Sequence, residues 1–136
     1  MPKQLDHAPD LLLTEEPLST DSPPSDIQHG ASVQFLGIVR ELEDGRKIDG
    51  IDYQCYPQMA EAKLAEIAEE GAAEFPAHRL KMHHRLGFVP AGITSVSICV
   101  TTPHSQAAFD LCRHYLHRLK TQLPIWKNVV FADPDS

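Results

Sequence analysis

The sequence predicts an α+β fold, a mainly antiparallel sheet with two main helices, and three observations carry that prediction. Apolar residues alternate with period two in short segments at 31–40, 48–56, 80–86 and 96–100. Turn chemistry at Asp44-Gly45 and Pro90-Ala91-Gly92 joins such segments as hairpins instead of regular βαβ units. The helical spacing of three, four and seven occurs over 57–75 and again over 105–120. The 136 residues, 42% of them hydrophobic, suffice for one core, so a single domain is expected over 1–136 with flexible ends at 1–10 and 133–136.

Leu11, Leu12, Leu13 and Thr14 predict a first short strand, and the Pro-, Ser- and Asp-rich stretch 17–26 an irregular connection without assigned function. In 31–40, Val33, Phe35 and Val39 face one way and Leu36, Ile38 and Arg40 the other, a buried strand ending in a cation. After Asp44-Gly45, Ile51, Tyr53 and Cys55 belong to the return strand. Pro57 opens the first helix where its missing N–H costs nothing, and Pro76 stops it. Ala60, Leu64, Ile67, Ala68 and Phe75 form its apolar stripe. Leu80, Met82, His84 and Leu86, then Val96, Ile98 and Val100, predict a second hairpin around Pro90-Ala91-Gly92. Ser105 is the expected N-cap of the last helix, whose stripe runs through Ala108, Cys112, Tyr115 and Leu119 with Leu111 and Leu116 widening it. Lys120 falls in its last turn, and 126–132 predicts a closing strand.

The net charge of -7 opposes a general nucleic-acid or anionic-membrane binder, so neither partner is expected. The three cysteines, Cys55, Cys99 and Cys112, share no C-x-x-C spacing, and no apolar run approaches the roughly 20 residues of a bilayer span. A cytoplasmic location is the expectation.

Against the acidic balance, the stretch from Arg113 to Lys127 carries Arg118, Lys120, His114 and His117 and no acidic residue. Lysine and arginine are by default solvated surface, and a cation in a last helical turn is favoured by the dipole alone. Position adds to that default: Arg40 ends an apolar strand, Lys120 ends a helix, and Lys127 follows Trp126. The segment 101–105 joins a strand to a helix whose free N–H groups suit an anion, with His104 beside them, although a lone histidine there is more often structural. His114 and His117, three apart near Cys112, lack a third ligand at convincing spacing, and His83 and His84 must point to opposite faces of a strand, so no metal is expected. Cys112 on an apolar stripe and Cys99 inside a strand are weak nucleophile candidates.

Five ordered motifs between about Leu12 and Lys127 resemble the large, catalytic subunit of molybdopterin synthase: the segment from Gly30 to Arg40, Tyr56-Pro57-Gln58-Met59, His84-Arg85-Leu86-Gly87, the segment from Thr101 to Phe109, and Leu119-Lys120-Thr121 with Pro124-Ile125-Trp126-Lys127. The resemblance implies an α/β hammerhead-type fold and sulfur transfer to cyclic pyranopterin monophosphate. The sulfur comes from the C-terminal glycine thiocarboxylate of a small ubiquitin-like carrier subunit, without metal or organic cofactor. It also implies Lys120 and Lys127 as catalytic residues, and Val39, Arg40, His104, Lys120 and Lys127 as the substrate-binding set. Charge-assisted hydrogen bonds from Arg40 and Lys127 would hold the anionic groups, while Lys120 polarises the thiocarboxylate carbonyl or stabilises the oxyanion.

A helix from Ser105 to Lys120 would be about 22 Å long, more than a pterin phosphate can bridge. His104 and Lys120 are therefore expected at one ligand only if they come from two copies of the chain, in keeping with the central homodimer of the heterotetramer that the resemblance implies. Two departures from that family's pattern stand in this sequence: Ser105 follows His104 where an arginine is usual, and only a short tail follows Lys127. Both bear on substrate affinity. The alternative they support is a weakly active or inactive relative that serves as a dimeric binding module for the small subunit.

Overall fold

The computed structural model describes residues 7–24 and 26–134. Its elements in order are β1 (Asp10–Thr14), β2 (Ala31–Ile38), β3 (Leu42–Glu43), β4 (Arg46–Cys55), α1 (Pro57–Glu74), β5 (Arg79–Arg85), β6 (Gly87–Pro90), β7 (Thr94–Thr102), α2 (Ser105–Gln122) and β8 (Ile125–Phe131). One sheet has the order β1-β5-β7-β2; in the other, β4 is flanked by β3, β6 and β8. Every pairing is antiparallel except β1 with β5. The α+β reading with two main helices holds, and the expected flexible ends fall largely outside the described residues.

The two helices cover one face of the first sheet. Even-numbered residues Leu80 and Met82 of β5 and Ile98 and Val100 of β7 meet Leu64 and Ile67 of α1 and Leu111, Tyr115 and Leu119 of α2 in the main core. This is the stripe-on-pleat match that periods of 3.6 and 2 produce. Close approach of the helices fixes Gly71: a Cβ there would lie 2.1 Å from the Tyr115 hydroxyl oxygen. The odd-numbered face of the same sheet is polar, and Ser19, Thr20, Asp21 and Asp26 of the connection after β1 lie against it. Lys81 Nζ donates to the carbonyls of Ser19 and Asp21, Gln34 Nε2 to that of Thr20, and Arg79 pairs with Asp26 at 2.8 Å. A second cluster, Val39, Ile48, Ile51, Tyr53 and Val89, fills the other sheet.

Four local expectations are corrected. The 31–40 strand ends at Ile38, where the register breaks after Gly37, so Val39 and Arg40 lie beyond it. Val39 N–H then donates to Ile93 and its carbonyl accepts from Gly92, which ties the strand end to the turn before β7. β5 and β7 are antiparallel neighbours but not a hairpin, because the chain leaves the sheet at Gly87 (φ +75°) to form β6 against β4. Pro90-Ala91-Gly92 returns it to the first sheet. Leu86 accordingly lies outside β5, its N–H bonded to Thr14. Finally, Ser105 is the first helical residue of α2 and His104 its N-cap; the hydroxyl that bonds at this corner is Thr102 Oγ1, donating to the His104 carbonyl.

Candidate active site

The C-terminal end of α2 and the start of β8 define the site. Leu123 N–H caps the helix on the Leu119 carbonyl, Pro124 prevents its continuation, and Ile125 N–H turns back to Leu123. β8 then runs antiparallel to β4, placing Lys127 directly opposite Tyr53. The result is a cavity of about 380 Å³ lined by Lys120 of α2, Lys127 of β8, Tyr53 of β4, His84 of β5, Ser95 of β7 and the apolar Phe35, Leu116 and Leu119. A smaller cavity of about 220 Å³ adjoins it, lined by Val39 and Arg40. Lys127, Tyr53 and Ser95 line both.

Four of the five residues expected to bind substrate thus come together: Lys120 and Lys127 at one cavity, and Val39, Arg40 and again Lys127 at the next. Val39 is buried and contributes its backbone tie; Arg40 reaches outward, its side chain 82% exposed and 3.8 Å from Glu43. The expectation that Arg40 ends the apolar strand is therefore corrected, since the strand stops two residues before it. His104 lines neither cavity. It lies exposed at the opposite end of α2, whose 18 residues form one unbroken helix between it and the turn after Lys120.

Two neighbouring cations are already spent: Arg118 pairs with Glu70 at 2.7 Å and Arg113 with Asp110 at 3.7 Å. Among the described residues, no ion pair engages Lys120 or Lys127. Two ammonium groups over a half-apolar cavity make a site for anionic ligand groups, because each anion replaces repulsion between the lysines with charge-assisted hydrogen bonds.

His84 stands in one of the five motifs but, like Tyr53 and Ser95, is not among the expected site residues. It is 8% exposed, and its Nδ1 lies 2.7 Å from the Arg85 carbonyl oxygen. Burial is the main cause that pushes its pKa down to about 4; the Arg85 hydrogen bond opposes the shift and the Lys127 charge adds to it. The signal was in strand parity: Leu80 and Met82 face inward, so His84 had to face inward too, a titratable group on an apolar face. Tyr53 stands against it edge-on at 5.1 Å between ring centres, and passes a hydrogen bond through Ser95 to the Gly37 carbonyl.

The alternative chemistries recede. His114 has Glu70 and Glu74, not His117 and Cys112, as its potential co-ligands, and Glu70 is held by Arg118. Burial pushes the Cys112 and Cys55 thiols up, away from the thiolate form that nucleophilic catalysis needs. No helix among the described residues is long and apolar enough to cross a membrane.

Comparison with known proteins identifies the family. The family model of the MoaE protein matches residues 13–122. The molybdopterin synthase catalytic subunit of Pseudomonas aeruginosa is 41% identical over 98 residues, which cover 72% of this chain and 65% of that protein, so the match spans just under two-thirds of the relative. The crystal structure of molybdopterin synthase from Staphylococcus aureus superposes with a TM-score of 0.82 at 32% identity, covering 89% of this chain and 90% of that one. A complex of subunits 1 and 2 of molybdopterin-converting factor from Helicobacter pylori superposes with a TM-score of 0.63 at 26% identity, covering 80% and 75%. With a family model matched over most of its length, the chain belongs to the MoaE protein family.

Proposed function

We propose that this chain is the catalytic subunit of a molybdopterin synthase, a cytoplasmic sulfurtransferase. It takes sulfur from the C-terminal thiocarboxylate of a small ubiquitin-like subunit and gives it to cyclic pyranopterin monophosphate. The observation that carries the reading is the convergence of Lys120 and Lys127, from a helix end and a strand start, on one cavity that shares Tyr53, Ser95 and Lys127 with the cavity of Val39 and Arg40.

The chemistry requires two anions to meet. Lys127 and Arg40 hold the phosphate-bearing substrate, and Lys120 polarises the thiocarboxylate carbonyl. As sulfur bonds to the substrate carbon, its bond to the acyl carbon is the one that must break. Water supplies the oxygen that replaces it, and the carrier leaves as a carboxylate. An ammonium donor at the acyl oxygen stabilises the oxyanion of that step. Protons released by the water are taken up and returned at Lys120 or Lys127. Two transfers complete the dithiolene.

His104 enters through a second copy. One α2 helix separates it from Lys120 by about 24 Å, so it serves the same ligand only across a homodimer interface. The assembly is a homodimer of this chain with a small subunit at each end.

The test is reconstitution. Purified chain, thiocarboxylated small subunit and cyclic pyranopterin monophosphate are combined, and molybdopterin is measured. Product formation supports the reading; tight binding of the small subunit without product supports a binding module instead.

A further inference from the structure

Besides its two lysines, the cavity presents one ring nitrogen, on the largely buried His84, whose bonding capacity the fold leaves open. A carbonyl oxygen can only accept, so the 2.7 Å contact of His84 Nδ1 with Arg85 places the ring proton on Nδ1 and the lone pair on Nε2. Among the described residues no side chain or backbone group hydrogen-bonds Nε2. The ring is 8% exposed and braced by Tyr53 at 5.1 Å with a 75° interplanar angle, which fixes the direction in which Nε2 points. Burial and the adjacent Lys127 keep the imidazole neutral, with its pKa about 4. At neutral pH Nε2 therefore accepts and does not donate.

The other polar side chains around the cavity behave differently. Lys120 and Lys127 only donate, and the hydroxyls of Tyr53 and Ser95 are joined to each other and to the Gly37 carbonyl. His84 is the one side chain lining this cavity that can accept without being able to donate. A phosphate or thiocarboxylate oxygen against Nε2 would set lone pair against lone pair. Anionic groups belong with the lysines, and whatever lies on His84 must carry an N–H or O–H.

We propose that His84 is a specificity-determining residue of this cavity, its Nε2 accepting a hydrogen bond from a ring N–H or amino group of the pterin while Lys120 and Lys127 take the anionic groups. The inference rests on the reading of the cavity as a pterin-phosphate site and adds what selects the pterin. A ligand that covers this acceptor without offering a donor strips it of water and leaves it unpaired, which is how a site rejects a near-isostere.

Two substitutions separate hydrogen bonding from packing. His84→Asn keeps a donor toward the Arg85 carbonyl but ends short of Nε2, whereas His84→Gln reaches that position with an amide oxygen. Binding of cyclic pyranopterin monophosphate and of inorganic phosphate is measured for the wild type and both variants. The expected result is about a tenfold loss of pterin affinity in His84→Asn, as one lost neutral hydrogen bond predicts, with recovery in His84→Gln and unchanged phosphate binding in all three. In turnover, KM rises more than kcat falls. Equal losses in both variants, no loss in His84→Asn, or a parallel loss of phosphate binding each overturn the assignment. Should His84→Asn fail to fold, the wild type is tested with pterin phosphates whose ring N–H is methylated or whose amino group is removed. Undiminished affinity for all of them overturns the proposal, and about a tenfold loss for one supports it. If the wild type binds phosphate but no pterin phosphate, the functional reading falls together with this inference. If it binds the pterin and the variants do not discriminate, only the inference falls.

Discussion

Lys127 stands directly across the β4–β8 ladder from Tyr53, and Tyr53 in turn packs its ring edge-on against His84. This pairing couples the strand that follows the Pro124 corner to the second core, so the cation after Trp126 is positioned by a buried aromatic residue although Lys127 itself is exposed. Lys120 approaches the same cavity from a different element, and the two lysines are held independently. Their roles should therefore separate on mutation.

Lys120→Ala is expected to lower the sulfur-transfer rate by at least about 100-fold, the usual effect of removing an oxyanion donor, with a small change in substrate affinity. Lys127→Ala should raise KM more than it lowers kcat, because Lys127 borders both cavities. Both lysines are exposed, so urea unfolding midpoints should stay close to wild type. Steady-state kinetics on the two variants checks this, and identical KM and kcat changes in both would contradict the division of labour.

Two inactive chains should complement each other. If His104 of one copy serves the cavity of the other, mixing Lys120→Ala with His104→Ala subunits yields some dimers with one intact site, and up to about a quarter of wild-type activity returns if subunits exchange at random. Activity of the mixture that stays at the level of the separate variants argues against a shared site.

The depressed pKa of His84 predicts a pH-dependent stability of definite sign. The folded state keeps His84 neutral down to about pH 4, whereas the unfolded chain takes up its proton near the ordinary histidine value of 6.5. The unfolded state then binds more protons between these values, so stability is full above 6.5 and falls as pH drops from 6.5 through 4. His114, also held below its ordinary value mainly by burial, acts in the same direction. Thermal melts across the window should show the decline, and His84→Phe should flatten it. A wild-type curve without slope in this window would contradict the burial argument.

Gly71→Ala should destabilise the protein by about 2 kcal/mol or more, although alanine is the better helix former by about 1 kcal/mol. The new Cβ would lie 2.1 Å from the Tyr115 oxygen, and Tyr115 cannot yield because it is fully buried and bonded to His78 Nε2 at 2.6 Å. Denaturant unfolding gives the answer; a stabilised variant would show that the helices can part.

Much of this was legible in the sequence because local chemistry and tertiary structure agree. Pro57 and Pro76 bracket α1, and the stripe from Ala108 to Leu119 is the face of α2 that is buried. Asp44 (φ 52°) and Gly45 (φ 78°) make the turn that their residue types announce. The departures arise where long-range pairing decides. β6 has only four residues and is a strand because β4 lies beside it, which no periodicity of its own could reveal. The strand from Ala31 stops at Ile38 because Val39 bonds to the Gly92–Ile93 turn, so Arg40 is directed to solvent instead of closing a sheet. At the site, Lys120 and Lys127 were visible as local charge excess, but their convergence with His84 depends on three chain segments meeting. Ser19 and Thr20 of the polar connection bond Lys81 and Gln34, a task legible only once the sheet exists.

The most direct test of the central claim is a single-turnover experiment with thiocarboxylated small subunit and cyclic pyranopterin monophosphate, comparing wild-type chain with Lys120→Ala. The account predicts that both bind the small subunit alike, while wild type releases its carboxylate form with formation of molybdopterin and Lys120→Ala does so at least about 100-fold more slowly. Equal rates in the two proteins would remove the Lys120–Lys127 cavity from the chemistry and contradict the account.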